Sequence, residues 1–128
     1  MGEAVGQSIR RKKDSSIVAS VRAVAEGRCE AVVSAGSTGA AMAASLFGLG
    51  RIHGVTRPAI AVTIPTMTHP VVLIDGGANS DCTPEMLSQF AEMGCAYAKH
   101  IVGVEDPIVG ILSIGEEEGK GDALVDET

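Results

Sequence analysis

Two glycines flank two hydroxyl residues in Gly36-Ser37-Thr38-Gly39, directly after a short apolar run and directly before an alanine-rich stretch. This arrangement predicts a strand-to-helix turn at which a ligand can approach the main chain without meeting long side chains. N–H groups at a helix N-terminus bind anions, and the hydroxyls of Ser37 and Thr38 can donate to phosphate oxygens. The sequence alone leaves two interpretations of this 36–39 loop: a phosphate-binding loop or an ordinary turn.

Two further glycine-rich loops follow predicted strands. One is Gly76-Gly77-Ala78-Asn79, the 76–79 loop, and the other runs over residues 115–121 and starts at Gly115. In a parallel α/β sheet, the loops after the strand C-termini gather at one edge, where ligands bind. We therefore expect the three loops to share that edge. The pattern G-x-x-x-x-G-K-[ST] does not fit them, because Lys120 is followed by glycine, and G-x-G-x-x-G needs a different glycine spacing. A nucleotide kinase is therefore disfavoured.

Polar side chains in the second and third loops are candidates for chemistry. Lys120, on a glycine pivot, is suited to neutralising a phosphate or a developing oxyanion, unless it only pairs with a neighbouring glutamate. Asn79 can donate its amide to a carbonyl oxygen or occupy a left-handed turn. Asp75, at a strand end, is more typical of a turn-former or cap than of an acid–base group. Cys82 is either an acyl-accepting nucleophile or a small buried residue.

Metal and cofactor sites are not indicated. The three histidines are scattered, and the three consecutive glutamates at 116–118 project in different directions, so we expect no metal and no cofactor. Three cysteines without a CxxC spacing are expected to be reduced thiols in a cytoplasmic protein. No apolar run approaches the length of a membrane span, and no signal-peptide pattern opens the chain.

Charge is distributed unevenly along the chain. Arg10, Arg11, Lys12 and Lys13 form a basic run, whereas the residues after it carry six basic and fifteen acidic side chains, a net charge of −9. Nucleic-acid binding would need a broader basic surface and stacking aromatics, and aromatic residues make up only 2% of the chain. The basic run is therefore either a solvated lead-in to a helix or a docking patch for an acidic partner or a phosphate.

Four helices and four strands are predicted to position these residues. Helices are expected from Asp14-Ser15-Ser16 to Gly27, over 38–50, from Thr83-Pro84 to Gly103 and from Asp122 onward. Strands are expected over 31–35, 59–65, 71–75 and 108–114. The connection over 66–70 is too short for a crossover helix, so the second and third strands should form a hairpin or lie antiparallel. The pattern predicts a single α/β domain over residues 1–128, which we expect to be a segment of a longer enzyme.

Five ordered motifs resemble one family. They are R-R-K-K-D-S-S (10–16), V-S-A-G-S-T-G-A (33–40), R-P-A-I-A-V-T-I-P-T (57–66), G-A-N-S-D-C-T-P-E (77–85) and I-G-E-E-E-G-K-G (114–121). In this order they closely resemble the PlsX-type bacterial phosphate acyltransferases of phospholipid synthesis, over nearly the whole chain. One departure is Ser37, where that family more usually has asparagine.

The resemblance implies a fold and a reaction. The fold is a three-layer α/β/α sandwich with a mostly parallel sheet, similar to isopropylmalate dehydrogenases and phosphate acetyltransferases. The reaction converts acyl-[acyl-carrier protein] and inorganic phosphate to acyl phosphate and free carrier protein, in a metal-independent cytoplasmic homodimer with peripheral membrane contact. A downstream acyl-phosphate:glycerol-3-phosphate acyltransferase would use the product. Alternatives are an acyl-CoA-dependent, phosphate acetyltransferase-like enzyme and an inactive phosphate-binding segment.

The resemblance and the residues together suggest roles for individual positions. Phosphate or substrate would be bound by Gly36, Ser37, Thr38, Gly39, Asp75 and Gly115. Lys120, assisted by Asn79, would orient the phosphate and offset charge on the tetrahedral intermediate. The basic run would meet the acidic carrier protein. Because phosphate is itself a nucleophile, this chemistry needs no Ser-His pair.

Overall fold

A computed structural model describes residues 6, 9, 11–113 and 123–128 of the chain. The chain divides into two compact units, Met1–Pro58 and Ala59–Thr128. Among the described residues, the first unit includes the helices Ser16–Ala25 and Thr38–Gly48, and the second includes a two-stranded sheet followed by further helices. The single α/β domain over residues 1–128 stays a prediction.

The first helix, α1, spans Ser16–Ala25 and has Ser15 as its N-cap residue, within the predicted start signal. The predicted stop is also confirmed, because Gly27 adopts a φ of +71° just after the helix. At this end the Arg28 N–H donates to the Ala23 carbonyl at 2.9 Å, which satisfies a carbonyl that has no partner within the helix.

The second helix, α2, spans Thr38–Gly48, so it starts where predicted and ends two residues earlier. It packs against α1, and Val21 and Ala44 are almost fully buried in this unit, at 2% and 3% exposed. A Cβ atom on Gly48 would lie only 2.5 Å from Cγ1 of Val21. The missing side chain at Gly48 therefore lets the end of α2 approach α1 closely.

The second unit begins with two short antiparallel strands, β1 (Val62–Ile64) and β2 (Val71–Leu73). Their register pairs Val62 with Leu73 and Ile64 with Val71. The predicted antiparallel pairing of the second and third strands is confirmed. Both strands are shorter than predicted, since the ladder does not extend to residues 59–61 or to Ile74 and Asp75.

The third helix, α3, spans Pro84–Tyr97 and packs against β2. Its predicted start is confirmed, because the Thr83 hydroxyl accepts a hydrogen bond from the Met86 N–H at 3.3 Å and proline occupies the first turn. Phe90, 1% exposed, is the most buried side chain of this helix. A short fourth helix, α4 (Ala123–Glu127), contacts α3, which agrees with the helix predicted from about residue 122.

The sequence spaces Met86, Phe90 and Ile101 so as to predict one apolar face along this helix, and the end of α3 departs from that prediction. The helix continues as a π-helical turn over Ala98–Val102, which ends at Gly103 with a φ of +86°. A π-helical turn holds more residues than an α-helical one, so positions beyond Tyr97 no longer follow the 3.6-residue period. Ile101, predicted to share the face of Met86 and Phe90, is 69% exposed as a result.

Two predicted strands are not formed within the described residues. Residues 31–35 and 108–113 have no ladder partner there and are irregular, and residue 114 lies outside the described part. A strand requires a neighbouring backbone for its hydrogen bonds, and apolar content alone does not supply one. Val33 and Ile108 are consequently 98% and 99% exposed.

The described part of the chain is thus a mixture of helices and one small sheet, compatible with the predicted α/β class. None of the helices found there has both the length and the hydrophobicity needed to cross a bilayer.

Candidate functional site

The 36–39 loop leads into the N-terminus of α2 in the first unit. Ser37 is the N-cap residue, with φ −62° and ψ 125°, but its hydroxyl makes no capping hydrogen bond in the described structure. The Gly36 N–H donates to the Ser34 hydroxyl at 3.2 Å, and the first turn closes through Ala41 N–H and the Ser37 carbonyl at 3.0 Å. The exposed hydroxyls of Ser37 and Thr38 therefore flank a helix N-terminus whose positive dipole end favours an anion.

Asp75 organises the 76–79 loop in the second unit. Its Oδ2 atom accepts hydrogen bonds from the backbone N–H groups of Ala78 and Asn79, at 2.8 and 2.7 Å, and from the Asn79 side-chain amide at 3.3 Å. Its Oδ1 atom accepts from the Ile60 N–H at 2.8 Å. The half-buried carboxylate thus connects the loop to the segment that leads into β1.

The charge of Asp75 is stabilised by these donors. Partial burial acts to raise the pKa of its carboxyl, but the hydrogen bonds from Ile60, Asn79 and Ala78 outweigh burial, so the pKa of Asp75 lies below its ordinary value. The side chain is therefore ionised at neutral pH. A carboxylate in this state is an acceptor only, and it is not suited to act as a general acid.

Two glycines give the 76–79 loop its path. The Gly76 N–H donates to the Ile60 carbonyl at 2.8 Å, and a Cβ atom on Gly76 would lie 2.6 Å from Cγ2 of Val62. Gly77 has a φ of +106°, in a region that L-residues with side chains rarely adopt. The loop therefore requires glycine at both positions, one for close approach and one for backbone conformation.

Asn79 does not occupy a left-handed turn, because no described residue other than glycine has a positive φ. That alternative is wrong. Its half-buried side chain instead donates through Nδ2 to the Asp75 carboxylate, while its backbone N–H donates to the same oxygen atom. The sequence identified Asn79 as an amide donor, and the donation found here is to Asp75.

The basic run has a neighbour that sequence spacing did not reveal. The described members Arg11, Lys12 and Lys13 are exposed, and Nη2 of Arg22 donates to the Lys13 carbonyl at 2.9 Å. Arg22 lies nine residues further along the chain and on α1, so no local pattern connects it with the run. Arg22 therefore adds a positive charge next to Lys13, at the end of the basic run.

The remaining predicted residues are placed as follows. The structure brings Asp75 and Asn79 into direct contact, and the 36–39 loop is continuous in the first unit. Arg10, Gly115 and Lys120 lie outside the described residues. Cys82 is a half-buried free thiol directly before the N-cap residue Thr83, and Cys29 and Cys95 are also free. Within the described residues, no three histidine, cysteine or acidic side chains are grouped as a metal site would require.

Sequence reasoning did not identify Ile60 as a residue of the site, because Ile60 contributes only through its backbone. Its N–H and carbonyl groups hold Asp75 and Gly76 respectively. An apolar side chain gives no sequence signal for such a role. The local signal for this arrangement is Asp75 itself, which follows the apolar run 71–74 and precedes two glycines.

Comparison with known proteins gives a consistent result. The sequence profile of a family described as "Fatty acid synthesis protein" matches residues 1–128. The chain is 56% identical over 128 residues to "Phosphate acyltransferase" of Desulfitobacterium hafniense (strain DSM 10664 / DCB-2), covering 100% of the chain and 38% of that relative. It is 55% identical over 125 residues to the protein of that name from Heliobacterium modesticaldum, covering 98% of the chain and 37% of the relative. With the Geobacter sulfurreducens protein, identity is 51% over 128 residues, covering 100% of the chain and 37% of the relative. The chain therefore spans less than two fifths of the length of these relatives.

Proposed function

Because the chain belongs to the fatty acid synthesis protein family, we propose that it contributes to a phosphate acyltransferase of bacterial phospholipid synthesis. The reaction transfers an acyl group from acyl-[acyl-carrier protein] to inorganic phosphate, giving acyl phosphate and free carrier protein. One observation carries this proposal: the whole chain aligns at 56% identity with a protein named phosphate acyltransferase.

Phosphate is proposed to bind at the 36–39 loop. The support is local: the Ser37 hydroxyl makes no capping hydrogen bond, the Thr38 hydroxyl is exposed beside it, and the helix that follows presents its N-terminus. A phosphate at this position would accept from backbone N–H groups and from both hydroxyls. The dipole of α2 would add favourable electrostatics, because anions are stabilised at the N-terminal end of a helix.

In the proposed mechanism, a phosphate oxygen attacks the carbonyl carbon of the thioester. The new C–O bond gives a tetrahedral intermediate, whose collapse breaks the C–S bond and releases the carrier protein's thiolate, which then takes a proton from water. Lys120 and the amide of Asn79 would orient the phosphate and offset the negative charge of the intermediate. The backbone of Gly115 would line the substrate-binding site.

The finer fold is also a proposal, namely a three-layer α/β/α sandwich with a mostly parallel sheet. In it, residues 31–35 and 108–114 form strands. The support is that both segments are rich in β-branched residues and that Val33 and Ile108 are almost fully exposed. Neighbouring strands would supply the missing backbone partners and cover these side chains.

The proposed partners follow from the chemistry of the substrate. Acyl carrier protein is acidic, so the basic run and Arg22 are suited to contact it. We further propose a cytoplasmic homodimer with peripheral membrane contact. The acyl phosphate would pass to an acyl-phosphate:glycerol-3-phosphate acyltransferase.

A comparison of acyl donors tests the proposed function. Purified protein is given phosphate with palmitoyl-carrier protein or with palmitoyl-CoA, and acyl phosphate is measured. We expect a clear preference for the carrier-protein substrate. Preference for the CoA thioester would instead indicate a phosphate acetyltransferase-like enzyme. No product with either donor, together with phosphate-dependent thermal stabilisation, would indicate an inactive phosphate-binding segment.

A further inference from the structure

Asp75 uses both of its carboxylate oxygens within the protein. Oδ2 accepts from three donors in the 76–79 loop, and Oδ1 accepts from the Ile60 N–H. A second anion, such as phosphate, would be repelled by this carboxylate and would have to compete for donors already in use. The sequence-based assignment of Asp75 to phosphate binding is therefore the less favourable interpretation of its geometry.

Two of the four hydrogen bonds that Asp75 accepts come from one residue, Asn79. Asn79 gives Asp75 its backbone N–H at 2.7 Å and its Nδ2 amide at 3.3 Å, so that both the main chain and the side chain are held by the same oxygen. Through Oδ1 the other end of this connection is fixed to Ile60, fifteen residues earlier. The direction of the Asn79 side chain is thus set relative to the segment before β1.

We propose that Asp75 is a positioning residue, which fixes the 76–79 loop on Ile60 and orients the Asn79 amide for the substrate without contacting phosphate itself. This proposal rests on the proposed function for the role of Asn79. The structural part of the proposal, that Asp75 fixes the loop, does not depend on the proposed function, because the hydrogen bonds of Asp75 form without any substrate. Side chains that orient a functional group in this way are required for its precise placement.

The proposal makes Asp75 and Asn79 act as one unit, which a double-mutant cycle detects. Asp75→Asn presents an amide NH₂ or a single carbonyl oxygen to the donors around it, and so cannot satisfy all of them. Asn79→Ala removes the side chain that Asp75 orients but leaves the backbone N–H. Asp81→Asn is the matched control, because Asp81 is exposed in the same region and, among the described residues, accepts only from the Ser80 hydroxyl, at 3.2 Å.

Steady-state kinetics and amide hydrogen exchange are measured for the wild type, both single variants, the double variant and the control. We expect Asp75→Asn to lower kcat about tenfold or more, to leave the KM for phosphate within about twofold, and to leave the double variant no slower than the slower single variant. We also expect faster exchange at the amides of Ile60, Ala78 and Asn79. Asp81→Asn should change none of these quantities.

Three results would overturn the proposal: a raised KM for phosphate with unchanged kcat, single effects that multiply in the double variant, or unchanged exchange at the three amides. If Asp75→Asn does not fold, Asp75→Glu replaces it, since it keeps the charge but moves both acceptors by one methylene. If the wild type forms no acyl phosphate, the proposed function fails. Hydrogen exchange then still decides whether Asp75 fixes the loop.

Discussion

Ile60 is joined to Asp75 through its backbone N–H, and its carbonyl is joined to the residue that follows Asp75. The Ile60 N–H donates to Oδ1 of Asp75 at 2.8 Å, and the Ile60 carbonyl accepts from the N–H of Gly76, the next residue, also at 2.8 Å. These two hydrogen bonds continue the association of the β1 and β2 segments beyond the ladder itself. They place the start of the 76–79 loop against the segment that leads into β1.

The close approach at Gly76 predicts a stability effect. Gly76→Ala would place a Cβ atom 2.6 Å from Cγ2 of Val62 and 3.2 Å from the Ile60 carbonyl oxygen. We expect the free energy of unfolding to fall by about 1–3 kcal/mol, as for other overpacked positions. Gly110→Ala is the control, because no atom of the described residues lies within 4 Å of its Cβ position, and it should change stability by less than about 1 kcal/mol. Urea unfolding measures both, and equal stabilities for the two variants would contradict the Gly76 contact.

The lowered pKa of Asp75 predicts a dependence of stability on pH. Since the folded-state pKa lies below that of the unfolded chain, the contribution of Asp75 is complete above the unfolded pKa, about 4, and is lost as the pH falls through the folded pKa. Asp75→Asn should therefore flatten the acid side of the stability profile. Urea unfolding between neutral pH and about pH 3 checks this, and parallel profiles for wild type and variant would contradict it.

Removal of the N-cap hydroxyl is expected to lower the free energy of unfolding at the start of α3 but not at the start of α2. Thr83 caps α3, so Thr83→Ala should cost about 1 kcal/mol of stability, and Thr83→Ser should restore most of it. The Ser37 hydroxyl makes no capping bond, so Ser37→Ala should change stability by less than about 0.5 kcal/mol while weakening thermal stabilisation by added phosphate. A loss of stability in Ser37→Ala equal to that in Thr83→Ala would show that the hydroxyl is a cap after all.

The basic run predicts a change in the use of the carrier-protein substrate. Replacing all four of its residues by alanine should raise the apparent KM for acyl carrier protein, most strongly at low ionic strength, because exposed charges act mainly on association. The KM for phosphate serves as the internal control and should stay unchanged. An unchanged KM for the carrier protein at low salt would exclude this role.

Local signals predicted the helices well. The cap at Thr83, the proline after it and the glycines at 27 and 103 all act through the chemistry of neighbouring residues, and each is found where the sequence places it. The antiparallel pairing of β1 and β2 was also predictable, because the chain between them is too short for a crossover.

Features that depend on distant partners were not predictable. Residues 31–35 have the composition of a buried strand, but a strand exists only where another backbone pairs with it. The site shows the same limit: Asp75 and Asn79 were both identified from their types and spacing, whereas the backbone of Ile60 has no signature in its apolar side chain. In α3, the 3.6-residue spacing of apolar residues stops predicting burial only where the π-helical turn begins.

Acyl phosphate formation in site variants tests the central claim most directly. Palmitoyl-carrier protein and phosphate are given to the wild type, Thr38→Ala and Lys120→Ala, with Ser88→Ala as a control for removing an exposed hydroxyl from a helix. We predict that kcat/KM falls about a hundredfold or more in Thr38→Ala and Lys120→Ala, a loss of ~3 kcal/mol of transition-state stabilisation, and is unchanged in Ser88→Ala. A wild-type rate retained by both Thr38→Ala and Lys120→Ala would contradict the site and leave the 36–39 loop as an ordinary turn.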